Sequence, residues 1–122
     1  MNKTIALLIT LDTKDQEAEF LMEEIRRRDD IPLLMDIGVI GKPGVEATLS
    51  REEIAQEGGV SLDKLLENPT RDAASPVMVK GCIRILNRKI AAGEVDAVLG
   101  LGGTQGTSTC CEIMQALPYG FP

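Results

Sequence analysis

The sequence predicts an α/β fold with an open, mainly parallel sheet of the Rossmann-like, three-layer type. Three apolar runs without polar alternation, Thr4–Thr10, Ile31–Ile37 and Glu94–Leu101, are typical of strands buried on both faces. Helical patterns lie between and after these runs, as in parallel strands joined by right-handed crossovers. Because three strands make a narrow sheet with exposed apolar edges, we expect residues 1–122 to form one domain that looks incomplete.

Composition excludes several classes of function. The formal net charge of −6 and an aromatic content of 2% argue against a nucleic-acid surface, which needs basic and stacking side chains. Three cysteines and no histidine suit a reducing compartment better than a disulfide framework or a zinc site. No apolar run is long enough to cross a membrane. We therefore expect a cytoplasmic protein without a nucleic-acid or membrane partner and without a metal site of its own.

The first two strands enclose an amphipathic helix. We expect Asp12 or Thr13 to cap its start, and Arg26–Arg28 in its last turn to complement the helix dipole as solvated surface. The buried stripe repeats at helical spacing and comprises Ala18, Leu21, Met22 and Ile25.

After the second strand, glycines and Pro43 predict a loop over Gly38–Gly44. The capping-box pattern Ser50–Glu53 then opens a short helix that ends near Gly58 and Gly59. A further helical turn is expected over Ser61–Leu66, stopped by Asn68 and Pro69.

A long helix is predicted from Thr70 to about Ala92, with Pro76 implying either a later start near Ser75 or a kink. Gly81 in its interior indicates close packing, and Gly93 ends it. Its expected buried stripe is Val79, Cys82, Ile83, Leu86 and Ile90. The last helix is expected over Thr107–Leu117.

The stretch Asp96–Thr107 is the strongest candidate for a ligand site. It turns from an apolar strand through three close glycines into a helix, and backbone N–H groups at a helix N-terminus bind phosphates and other anions. It lacks the Gly-Lys-Ser/Thr of a P-loop and fits the dinucleotide fingerprint poorly. By itself, the pattern is equally compatible with a tight turn that binds nothing.

Three segments should meet at the carboxyl edge of the sheet, namely Thr10–Lys14, Asp36–Gly44 and Gly100–Thr107. Lys14 offers a positive charge there, and hydroxyls come from Thr104, Thr107 and Ser108.

The two aspartates at strand ends, Asp12 and Asp36, could hold a metal ion or bind ribose hydroxyls, or could serve as a helix cap and a turn residue. Cys110 and Cys111, near the start of the last helix, could carry a thiolate or be buried filler.

Four motifs occur together in order, Thr10–Lys14, Asp36–Gly41, Ser50–Glu53 and Gly100–Thr107. With them the chain resembles the ATP-binding N-terminal domain of the tomato mosaic virus resistance protein, a domain shared by many uncharacterised microbial proteins. The resemblance implies a two-lobed α/β architecture, assembly into dimers or larger homo-oligomers, and an ATP site with or without Mg²⁺. The nucleotide contacts that it implies are Leu11, Asp12, Thr13, Lys14, Gly38, Gly41, Gly102, Gly103, Thr104, Gly106 and Thr107.

The sequence therefore favours a nucleotide-binding module with phosphates at the Gly102–Thr107 turn, facing the strand end at Thr10–Lys14. Two alternatives remain: part of an ATP-dependent enzyme acting on a small anionic metabolite, and a ligand-free oligomerisation domain. The enzyme would need a general base, for which Asp12, Asp36 and the glutamates near Ser50 are the candidates.

Overall fold

The computed structural model describes residues 2–39, 41–67 and 71–122, and for residues 71–73, 104 and 105 it describes the backbone alone. Its elements are, in order, β1 (Thr4–Ile9), α1 (Asp15–Arg27), β2 (Ile31–Asp36), α2 (Arg51–Glu57), α3 (Leu62–Leu66), α4 (Arg71–Ala91), β3 (Ala97–Leu101) and α5 (Thr104–Gln115). None of the helices in these ranges combines the length and hydropathy that crossing a membrane requires.

The three strands form a parallel sheet in the order β2-β1-β3, which confirms the predicted open α/β fold. The central strand β1 is the most deeply buried, and Leu7, Leu8 and Ile9 have no exposed surface. Their side chains alternate between two cores. Leu7 and Ile9 pack with α1, whereas Leu8 packs in the cluster built by α2, α4 and α5. Burial on both faces explains why β1 is continuously apolar, whereas β3 has no fully buried residue and Leu99 is 43% exposed.

The loop that follows β2 returns along the outer edge of that strand. Leu49 accepts a hydrogen bond from the Asp36 N–H at 3.1 Å and donates one to the Leu34 carbonyl at 2.9 Å. Thr48 Oγ1 accepts from the Leu34 N–H at 3.0 Å. This pairing covers part of the β2 edge and fixes where α2 begins, at the predicted capping box between Ser50 and Glu53.

Helix α4 crosses α2 at two glycines. A Cβ built on Gly81 would collide with the Ile54 carbonyl oxygen, and one built on Gly58 would collide with that of Val77. The close packing predicted for Gly81 is therefore confirmed. Pro76 lies inside a helix that already runs from Arg71, so the alternative start near Ser75 is wrong. The predicted start at Thr70 and stop at Asn68 and Pro69 lie outside the described residues.

Two predicted boundaries are wrong for identifiable reasons. β3 begins at Ala97 and not at Glu94, because the Glu94 N–H caps α4 by donating to the Lys89 carbonyl at 2.8 Å after Gly93 at φ +75°. The last helix begins at Thr104 and not at Thr107, since the Thr107 N–H already donates to the Gly103 carbonyl at 2.9 Å.

Candidate functional site

The strand order places a crevice between the ends of β1 and β3. The chain leaves β1 to one side to reach β2 and returns past β1 to reach β3, so α1 and α5 lie on opposite faces of the sheet. Ligands in open α/β sheets bind where the order reverses in this way. A cavity of about 540 Å³ lies at this point. It is lined by Thr10, Asp12, Thr13, Lys14, Ile37, Gly38, Val39, Ala74, Ser75, Met78, Gly103, Gly106 and Thr109.

The first wall is the turn between β1 and α1. The Lys14 N–H closes it by donating to the Thr10 carbonyl at 2.9 Å, and Thr10 Oγ1 and Thr13 Oγ1 are hydrogen-bonded at 3.2 Å. The N-cap is Lys14, whose side chain makes no capping bond, so the prediction that Asp12 or Thr13 caps this helix is wrong. Asp12 and Lys14 are instead half-buried and line the cavity.

Lys14 stands where the helix dipole disfavours a cation. Asp15 and Glu17 in the first turn of α1 offset that cost in part, but Lys14 forms no ion pair within the described ranges. A cation held against a helix N-terminus and beside a cavity is well placed to meet an anion from solution.

The second wall is the end of β2, which a buried ion pair organises. Asp36 is 1% exposed and Arg51 is 4% exposed, and Arg51 Nε donates to Asp36 Oδ2 at 2.8 Å. Asp36 Oδ1 accepts from the N–H of Gly38 at 3.0 Å and from that of Leu11 at 3.3 Å. Arg51 Nη1 donates to the Gly41 carbonyl at 2.9 Å. The pair thus ties the β1 turn, the β2 loop and α2 together.

This arrangement decides the role of Asp36. Its carboxylate accepts from three donors and lies outside the cavity lining, which favours the interpretation as a turn residue over that as a metal or ribose ligand. Arg51 is a residue that sequence reasoning missed. The available signal was that Arg51 is the first residue of α2, where the helix dipole disfavours a cation. The pattern Ser50–Glu53 was instead interpreted as a capping box alone.

The third wall is the turn between β3 and α5, where the glycines divide by role. A Cβ on Gly102 would lie 2.6 Å from Gly106 Cα, so Gly102 is required for close packing within the turn. A Cβ on Gly103 or Gly106 would meet nothing within 4 Å, and both residues border the cavity. Thr107 Oγ1 donates to the Gly102 carbonyl at 3.1 Å and so braces the turn.

The fourth wall comes from α4 and was not foreseen. Ala74 and Met78, each 1% exposed, and the half-buried Ser75 contribute to the cavity lining. Ile37 and Val39 add further aliphatic side chains to it. The lining therefore combines charged groups, hydroxyls and two helix N-termini with aliphatic side chains.

The residues that the resemblance implied as nucleotide contacts separate into two groups. Leu11 is fully buried, Gly41 and Thr107 are exposed, and Gly102 is packed within its turn; these four lie outside the cavity lining. The side chain of Thr104 lies outside the described part. The remainder line the cavity and are Asp12, Thr13, Lys14, Gly38, Gly103 and Gly106.

Cys82 and Cys110 are unsuited to nucleophilic chemistry because they are buried. Because α5 begins at Thr104, Cys110 and Cys111 lie beyond its first turn, where the helix dipole no longer favours a thiolate. Burial raises the pKa of the Cys110 thiol to about 11 and that of Cys82 to about 12. Cys82 and Cys110 are buried, which confirms the interpretation as buried filler for Cys110. The same interpretation is wrong for Cys111, which is exposed. No group of three metal-ligating side chains occurs among the residues described.

Comparison with known proteins places the chain in a family. Residues 3–122 match the family described as "Uncharacterised protein family (UPF0261) N-terminal domain". A UPF0261 protein of Clostridium tetani is 34% identical over 122 residues, which are 100% of this chain and 30% of that protein. Similar proteins occur in Brucella suis (28% identity over 97% of this chain and 28% of the relative) and Rhizobium meliloti (31% over 98% and 29%). The chain spans about 30% of the length of these relatives, and it belongs to the UPF0261 family, whose N-terminal domain it matches.

Proposed function

We propose that this chain is a nucleotide-binding module that takes ATP, with the phosphates at the Gly102–Thr107 turn opposite Thr10–Lys14. The observation that carries the proposal is the cavity at the strand-order reversal, whose lining includes both Lys14 and the open glycines of the α5 turn. Anions are stabilised there by the N-termini of two helices and by one cation.

The apolar wall supports a nucleotide over inorganic phosphate. A free phosphate would use only the polar groups of the lining and would leave its aliphatic side chains, such as the half-buried Val39, without a partner. A nucleoside offers a planar, weakly polar base that can cover such a surface, and the Ser75 hydroxyl supplies one polar group to orient it. The volume of about 540 Å³ is in the range of small-molecule sites.

The choice of ATP among nucleotides comes from the resemblance to the ATP-binding N-terminal domain of the tomato mosaic virus resistance protein. That resemblance also supports a dimer or larger homo-oligomer, which stays a prediction.

Isothermal titration calorimetry with Mg²⁺-ATP tests the proposal, with orthophosphate as the comparison ligand. We expect saturable binding of ATP and much weaker binding of orthophosphate. Lys14→Gln should weaken ATP binding about tenfold or more, because a hydrogen bond between charged groups contributes about 1.5–3 kcal/mol.

The matched control is Lys64→Gln on α3, an exposed lysine outside the cavity lining, which should leave affinity unchanged. Absence of any heat or melting shift with ATP would refute the nucleotide site. Equal losses in the two lysine variants would refute the role of Lys14.

An ATP-dependent enzyme is the second candidate, favoured by the half-buried carboxylate of Asp12 in the cavity. It predicts release of ADP or AMP that disappears in Asp12→Ala. The third candidate, a ligand-free oligomerisation domain, is excluded if nucleotide co-purifies with the native protein and is detected by mass spectrometry.

A further inference from the structure

Asp12 is the acidic side chain among the described residues that line the cavity, and two glycines leave the space that it occupies. A Cβ built on Gly41 would lie 3.1 Å from Asp12 Oδ2, and one built on Gly38 would lie 3.3 Å from Asp12 Oδ1. Both carboxylate oxygens therefore rest against the Gly38–Gly41 loop, in space that any larger residue would occupy. Gly41 also has φ +71°, which favours glycine.

The two aspartates of this region are used in opposite ways. Asp36 accepts three hydrogen bonds from Leu11, Gly38 and Arg51 and is closed off from the cavity. Asp12 receives no hydrogen bond from the side chains and backbone that the structure describes, and it lines the cavity. Its open acceptor sites can therefore take hydrogen bonds from water or coordinate a cation that enters with a ligand.

The charges of the site do not suit a bare polyphosphate. Among the residues that the structure describes, the charged side chains of the cavity lining are Asp12 and Lys14, and the buried Asp36–Arg51 pair lies next to Gly38 of that lining. The formal charges of these four groups cancel. A triphosphate entering alone would bring its negative charge against Asp12, opposed by Lys14 and by the partial positive charge of the α1 and α5 N-termini. Like charges brought together at an interface are strongly unfavourable.

We propose that Asp12 binds a divalent cation that enters with the nucleotide, so that the site selects the metal-bound form; this rests on the proposed nucleotide function. Mg²⁺ is commonly held by one or two carboxylates together with phosphate oxygens and water. The hydroxyls of Thr10 and Thr13 lie in the same lining and supply further oxygen donors. This oxygen-only donor set fits Mg²⁺ or Mn²⁺ and not Zn²⁺, which prefers imidazole and thiolate.

The test measures ATP affinity by calorimetry in Mg²⁺ and in EDTA, for the wild type, for Asp12→Asn and for Asp63→Asn. Asp63 is an exposed carboxylate on α3 outside the cavity lining. We expect Mg²⁺ to tighten binding at least about tenfold in the wild type and in Asp63→Asn. In Asp12→Asn the Mg²⁺ effect should fall to about threefold or less, and binding in EDTA should equal or exceed that of the wild type.

Two outcomes overturn the inference while the nucleotide site stands: equal wild-type affinity in Mg²⁺ and EDTA, or a full Mg²⁺ effect in Asp12→Asn. Failure of the wild type to bind ATP in either buffer refutes both. Electron paramagnetic resonance of Mn²⁺ independently measures metal binding by the wild type. The free Mn²⁺ signal in the presence of ATP should fall further when protein is added, and no change would also overturn the inference.

Discussion

Removing Arg51 should destabilise the fold far more than removing any surface arginine. Arg51→Met keeps most of the buried aliphatic stem but deletes the donor to Asp36 at 2.8 Å and the donor to the Gly41 carbonyl at 2.9 Å. Asp36 would then be a buried carboxylate supported by two backbone N–H groups alone. Breaking a buried pair on one side costs about 3–5 kcal/mol, which is a large share of the roughly 5–15 kcal/mol that stabilises a domain.

Urea denaturation followed by circular dichroism measures this loss. Arg88→Met is the matched control, since Arg88 pairs with Glu57 at 3.0 Å but its side chain is 62% exposed, and exposed pairs contribute about 0–1 kcal/mol. The double variant Asp36→Asn/Arg51→Met should recover much of the loss because it leaves no unpaired charge. A cost below about 1 kcal/mol for Arg51→Met, or equal costs in the two methionine variants, would refute the view that this ion pair organises the loop.

Further predictions concern the glycine turn and the cysteines. Gly106→Ala should keep or raise the melting temperature, because its Cβ meets open space within a helix, but it should weaken ATP binding by narrowing the cavity. Gly102→Ala should lower the melting temperature, because its Cβ would lie 2.6 Å from Gly106 Cα. Burial raises the thiol pKa from 9.0 to about 12 for Cys82 and to about 11 for Cys110. These thiols therefore lose their protons at a lower pH in the unfolded state than in the folded state. The free energy of unfolding should consequently fall as pH rises above about 9. Titration with a thiol reagent at pH 8 should label the exposed Cys111 first; rapid labelling of Cys82 in the folded protein would contradict this.

The fold was predictable because its signals are local and repeated. Each strand is a short apolar run, and each is followed by a helix with its own start or stop residue, such as the capping box at Ser50 or Gly93 after α4. The predicted starts of β3 and α5 were wrong because residues near them belong to a neighbouring element. Glu94 caps α4 before β3 can begin, and Gly106, expected in the loop, belongs to the first turn of α5.

The site was predictable only along the edge where strands end. The β1, β2 and β3 ends meet as expected, because parallel strands carry their C-terminal loops to one edge. The α4 wall was not predictable, since Ala74 and Met78 belong to a helix whose rotation over the sheet depends on its contacts with α2. Arg51 was missed because its partner is fifteen residues away and no local pattern links them.

The glycines of the sequence correctly indicated where the candidate site lies, but not which of them leave room for a ligand. At Gly38 a Cβ would lie 3.3 Å from atoms of Asp12, Asp36 and Arg51 alike, so that glycine allows the charged groups of the protein itself to approach one another. Gly102 likewise packs against its own turn. Gly103 and Gly106 face open space, and they alone among these four leave room for a ligand. A glycine cluster therefore indicates that another group comes close to the backbone. Only the atoms around each glycine in the structure decide whether that group belongs to the protein or to a ligand.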